Sequence, residues 1–229
     1  MPTTVRSKPT RPKEPVLQPK KPTRAEKVAR NRLALLRAGA EVVGEYGYEE
    51  ASIARIAERA GLAHGTFYKH FESRQAMFDE LLPNMGQDLL DEVREQVKGS
   101  RDILELEERG FRSFFDFLVK NPGFYRILNE AEVAAPLAFD RHINNLARHY
   151  TVALKRSLKS ADIDGFEERE LEVIAFVLMA ARFYIYLRFS KSGKTARQIP
   201  EWVVRAYMKF VAHGLKGSFD PKNLNSKGI

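Results

Sequence analysis

Between residues 64 and 70, His64, Thr66, Tyr68, Lys69 and His70 place two imidazoles, two hydroxyls and an ammonium in one short run. Such groups hydrogen-bond phosphate oxygens, and Gly65 among them lets a foreign backbone come close. Ser52, Arg55 and Arg74 flank the run with another hydroxyl and two guanidiniums. The chemistry on offer is recognition of a polyanion. Catalysis has no comparable set: the chain has no cysteine nucleophile, no phosphate-cradling glycine loop and no His-Glu pair at helical spacing. His142 and His149 are seven apart without a carboxylate at ligand spacing, and they read as surface or dimer-contact histidines. No enzyme activity, cofactor or metal is expected. The missing cysteine suits a reducing cytoplasm.

Two short helices must position these groups. Ser52 is a good N-cap, since its hydroxyl can accept from a free amide of the first turn. Ile53, Ile56, Ala57 and Ala60 then fall on one buried face. Gly61 ends the helix at a left-handed position. A second helix is expected over 64–71, with Phe67 and Phe71 four apart on its buried side. From the residues alone, a helix-turn-helix reader and an ordinary αα-hairpin with a polar outside both remain open.

The run G-L-A-H-G-T-F-Y-K-H-F (61–71), followed by E-S-R-Q-A-M-F (72–78), resembles the DNA-binding signature of the TetR family of one-component bacterial regulators. The match covers about 24–82. The resemblance implies that the second and third helices form the reader and that the third enters the major groove. By position, Ser52 corresponds to the residue that caps the second helix and touches phosphate. Thr66, Tyr68 and His70 match the phosphate clamps, and Ala63, His64, Gly65 and Lys69 the positions that meet base edges or backbone. Arg55 joins them on the exposed side of the reader, and Arg74 matches the basic residue that opens the fourth helix. Ala63 stands where the family often has Ser or Thr, which removes a side-chain cap, and His64 where it often has Lys.

Charge supports the same partner, double-stranded DNA. The chain carries a formal +8. Residues 1–32 hold ten Lys and Arg against Glu14 and Glu26, and the other residues balance. Residues 1–23 are also rich in proline, and so are expected to form a disordered or polyproline II basic arm. Such an arm either neutralises phosphates in a neighbouring groove or is a solubilising leader. It lacks the apolar run of a secretory signal. No stretch reaches the roughly 18 apolar residues of a membrane span, so no membrane partner is expected.

The pattern is helical throughout, giving an all-α fold of about nine helices. Helix one packs through Leu35, Gly39, Val42 and Tyr46 and ends at Gly47. The fourth runs from Ser73 to about 97, with Pro83 as a kink. The others are expected at about 102–120, 122–133, 137–158, 166–190 and 200–215, with a loop at 191–198 and no strand. This divides the chain into the arm (1–23), a three-helix helix-turn-helix domain (24–72), a helical ligand-binding and dimerisation domain (73–217) and a tail (218–229).

Helix eight is apolar nearly all round, which predicts burial on several sides, one of them against a second subunit. Helix nine, with Trp202, Val203, Ala206, Tyr207, Phe210, Val211 and Leu215, completes that contact, as the resemblance also implies. A two-fold dimer reads a palindromic operator with half-sites about 34–36 Å apart, or a multiple of that. The resemblance further implies a small-molecule pocket, with Phe114, Phe115, Phe124, Tyr125, Glu130, Phe176, Met179, Arg182, Phe183 and Tyr186 as candidates. A buried Arg182 needs a counter-charge. Glu130 and Glu132 are candidate partners, or else an anionic ligand takes the guanidinium. The expected function is a ligand-responsive transcriptional regulator, a repressor released by an apolar or acyl-CoA-like effector. Two other readings stay open: a ligand-insensitive architectural DNA-binding protein and a helical small-molecule binder.

Overall fold

The computed structural model describes residues 23–163 and 165–216. The basic arm up to residue 22 and the tail from 217 lie outside the described residues. Thr23 caps the first helix in a capping box: its hydroxyl accepts from Glu26 N, and Glu26 accepts from Thr23 N at 2.6 Å. Nine α-helices follow among the described residues. They are α1 (Arg24–Tyr46), α2 (Ile53–Arg59), α3 (His64–Phe67), α4 (Arg74–Val97), α5 (Ile103–Lys120), α6 (Phe124–Ala134), α7 (Pro136–Lys159), α8 (Leu171–Ile185) and α9 (Glu201–Lys216).

Several boundaries differ from the sequence reading. The third helix stops at Phe67 instead of 71, because Lys69 N and His70 N bond three residues back, to Thr66 O and Phe67 O. That tightened turn replaces a second helical turn. Pro122 and Gly123 precede α6 instead of opening it. The expected helix at 166–190 is a composite: a 3₁₀ turn at Glu168–Glu170, then α8, then a π turn at Tyr186–Ser190. The stretch expected as a strandless loop holds a small hairpin, β1 (Lys191–Ser192) with β2 (Thr195–Ala196), paired antiparallel. Pro83 does not interrupt α4. Asn84 Nδ2 donates to Glu80 O at 2.7 Å, next to Asp79 O, the carbonyl that proline leaves without a helical N–H.

One hydrophobic core runs through the reader and the larger helical body. Leu35, Val42 and Val43 of α1 meet Ile56, Phe67 and Phe71, and the same cluster continues through Phe78, Phe111, Phe115, Phe124 and Leu178. Helix α4 packs on α5 and α7, α7 packs on α8, and α5 on α9. Helix α1 also meets α6 closely: a Cβ on Gly44 would lie 2.6 Å from the Cα of Gly123. Above that crossing Glu130 bridges the two helices. It accepts from Tyr48 N at 2.9 Å and from Arg126 Nε at 2.6 Å, while Arg126 Nη1 donates to Glu45 O at 2.8 Å.

The expectation that helix eight lacks a solvent face is not met within one chain. Leu171, Ala175, Leu178, Arg182 and Tyr186 are buried, but Val173, Phe176, Val177, Tyr184 and Leu187 form an exposed apolar stripe. On α9, Trp202 and Phe210 are exposed as well. The segment Glu168–Ser190 has the length and mean hydropathy, 1.6, that a membrane crossing would need. Within one chain only 28% of that window is buried.

Candidate functional site

The exposed end of the molecule is built on α2 and α3. Ser52 Oγ accepts from Arg55 N at 3.3 Å, and Leu62 N closes the turn onto Ala57 O at 2.9 Å with Gly61 at φ +66°. Phe67 is fully buried and anchors α3. This leaves Ser52, Ala63, His64, Gly65, Tyr68, Lys69 and Arg74 exposed, with Arg55, Thr66 and His70 half-buried beside them. Tyr68 is 55% exposed although its ring touches those of His64 and Phe67, so its hydroxyl end is presented to solvent. Ala63 supplies no side-chain cap, and a Cβ on Gly65 would meet nothing within 4 Å. The face is open to a flat or grooved partner.

Two of the predicted cations are partly engaged. Arg55 donates to Glu50 O at 2.7 Å and stacks over Tyr46, and Arg74 donates to Glu49 O at 3.2 Å. Their charge stays on that face while their geometry is fixed by the loop after α1. His70 is held below its ordinary pKa by partial burial, then by Arg32 and Lys69. The shift favours its neutral form in the free chain.

The second feature is a cavity of about 790 Å³ enclosed by α4, α5, α6, α7 and α8. Of the ten sequence candidates, Phe114, Phe124, Tyr125, Phe176, Met179, Arg182 and Phe183 line it. Phe115, Glu130 and Tyr186 do not: Phe115 and Tyr186 are buried in the core, and Glu130 belongs to the α1–α6 bridge. Neither Glu130 nor Glu132 pairs with Arg182. Its partner is Glu107, at 2.7 Å, with both side chains buried. Tyr207 Oη also donates to Glu107, and Tyr150 Oη does so at 3.4 Å. Burial opposes the charge on Arg182, but Glu107, Tyr150 and Tyr207 more than offset it and raise its pKa. The cavity opens onto a rim of Arg94, Arg148, His149 and Arg156.

His142, expected at the surface, is 3% exposed and lines the cavity. Glycine at 86 leaves its ring the room that any Cβ would occupy, and the ring stands edge-on to Phe124. Burial lowers its pKa to about 4. Above about pH 6.5 the imidazole is neutral in folded and unfolded chains alike. As pH falls from there towards 4, the unfolded chain takes up a proton that the fold refuses, so stability is lost across that window. The loss reaches about 3 kcal/mol. Urea titrations at pH 7 and pH 4.5 should show this slope, and His142→Leu should flatten it.

With this geometry in hand, the comparisons with known proteins are consistent. The model described as "Bacterial regulatory proteins, tetR family" matches residues 35–81, from α1 into α4. Over those residues the chain is similar to that family of bacterial regulatory proteins. It is 31% identical over 106 residues to the nucleoid occlusion factor SlmA of Mannheimia succiniciproducens, covering 42% of this chain and 49% of that protein. The chain thus spans about half the length of that relative. It is 24% identical over 187 residues to the transcriptional repressor KstR2 of Rhodococcus jostii, covering 80% of this chain and 90% of KstR2. The structure of the fatty acid degradation regulator FadR from Bacillus halodurans superposes with a TM-score of 0.66 at 18% identity, covering 82% of this chain and 95% of FadR. That likeness shows a shared fold.

Proposed function

We propose that the chain is a homodimeric repressor that holds a palindromic operator through α2 and α3 and releases it when an apolar effector enters the cavity. The observation that carries the ligand-responsive reading is the cavity itself, of a size that suits small-molecule sites and lined mostly by apolar side chains. A ligand-insensitive architectural protein would have a filled second domain. The relative named as a fatty acid degradation regulator favours a lipophile. The rim of Arg94, Arg148, His149 and Arg156 suits the anionic head of an acyl-CoA-like compound, while the tail lies inside.

Dimerisation is assigned to α8 and α9. Val173, Phe176, Val177, Tyr184 and Leu187 recur at helical spacing, and Trp202 and Phe210 stand eight apart on α9. Two such stripes per chain build an isologous four-helix contact. Release follows when the effector favours a conformer with α4 displaced, so that two reader helices no longer match successive grooves. Its differential affinity for the two conformers drives the change.

Ser52, Arg55, Ala63, His64, Gly65, Thr66, Tyr68, Lys69, His70 and Arg74 are the proposed DNA contacts. The direct test is fluorescence anisotropy on DNA from upstream of the protein's own gene, across a salt series. Lys69→Ala should weaken binding and reduce the slope of log K against log salt by about 0.9, the loss of one phosphate contact. An unchanged slope and affinity would remove Lys69 from the interface. Effector release is read in the same assay by adding acyl-CoA esters and aromatic acids.

A further inference from the structure

One ring in the cavity wall has no polar partner of its own. His142 is 3% exposed and lines the cavity, yet neither ring nitrogen makes a hydrogen bond among the described residues. Helix α4 sets the ring's orientation. A Cβ on Gly86 would lie 2.1 Å from Nδ1 and 2.6 Å from Cε1, so that edge rests on the helix backbone. Gly86 does not line the cavity. The opposite edge of the ring, which carries Nε2, is the one left to face it. Four buried polar atoms without a partner are sealed off: Tyr48 Oη, Ser113 Oγ, Tyr125 Oη and Arg182 Nε. The His142 nitrogens are not sealed in this way.

An unpartnered imidazole in an apolar wall carries a desolvation cost that a leucine would avoid, unless a ligand supplies the missing bond. Burial keeps the ring neutral, so Nε2 is a donor in one tautomer and an acceptor in the other. A hydroxyl meets either form, because it both donates and accepts. A ketone serves the N–H form alone. A carboxylate would bring an unmatched charge into an interior whose buried cation, Arg182, is already balanced by Glu107. Anions are better met at the rim. His149 lies seven residues further along α7, roughly 10 Å up its axis, and is exposed there beside Arg148. We propose that His142 receives a hydroxyl on the inner end of an apolar ligand whose other, anionic end meets the arginine rim. This rests on the effector reading above and adds the class of ligand, an amphiphile with a polar group at each end.

The test uses octanoate, decanoate and dodecanoate, each beside its ω-hydroxy counterpart, in calorimetric titrations of the full chain. At one chain length or more, the parent should bind the hydroxy acid up to about tenfold more tightly than the plain acid. The ratio is read again in His142→Leu and His142→Phe, and either variant, once folded, suffices. There the order should reverse, because the hydroxyl is desolvated with nothing to receive it. A parent chain that favours the plain acid at every length overturns the proposal. So does a hydroxyl preference that survives in a folded variant. Failure of both series to bind would overturn the effector reading beneath it as well.

Discussion

Arg182→Met should lower the stability of the protein by about 3–5 kcal/mol, because it leaves the Glu107 carboxylate buried without its cation. Glu107 is 2% exposed and sits in a cluster with Tyr150 and Tyr207, whose hydroxyls cannot neutralise it. The ring of Phe111 stacks on that of Tyr207 at 4.1 Å in the α5–α9 packing beside the carboxylate, and Glu107 also lines the cavity. Chemical denaturation at neutral pH measures the effect. The double variant Glu107→Leu, Arg182→Met should recover most of the loss, since an apolar pair of similar volume is often as stable as a buried ion pair. If the single variant unfolds at the parent's denaturant midpoint, the pair is not the buried, mutually dependent unit described.

The second large effect concerns association. Val177→Asp together with Phe210→Asp places two charges on the exposed stripes of α8 and α9, where neither side chain contributes to the core of its own chain. The folded monomer should therefore survive while the dimer does not. Light scattering after gel filtration should show half the parent mass. Operator affinity should fall about a thousandfold, towards non-specific levels, because a single reader helix pair is left to engage one half-site. A variant that stays dimeric with full affinity would move the interface elsewhere.

The contrast between these two sites shows what the sequence made legible. Local rules found the cap at Ser52, which accepts an amide three residues on. They also found the buried face of α2, because helical spacing acts within a few residues. The apolar circumference of helix eight announced a need for burial that one chain does not meet. Arg182 announced a need for a counter-charge, but Glu107 is 75 residues away and sits in the acidic run L-E-L-E-E, where nothing local separates it from Glu105 and Glu108. Those two carboxylates bond to Arg101, Arg109 and Arg112 instead. Glu130 pointed to a counter-charge in the pocket, yet its partners are a backbone amide and an arginine one turn away. His142 read as a surface residue because its neighbours Arg141 and Asn144 are polar and exposed, and the signal that buries it is a glycine on another helix.

The Gly44–Gly123 crossing bears on how such proteins are recombined. Regulators are often treated as a DNA-reading head and a sensing body to be exchanged at will. Here the head is fitted to its body by two absent side chains and one carboxylate. A hybrid that joins this body to another protein's first three helices inherits a Cβ at position 44 unless that protein also has glycine there, and the two helices would then be forced apart. A foreign loop at 45–48 would further need to offer Arg126 a carbonyl and Glu130 an amide. Grafts that keep residues 44–48 should stay coupled to the body, and grafts that replace them should yield heads that bind DNA without hearing from the cavity.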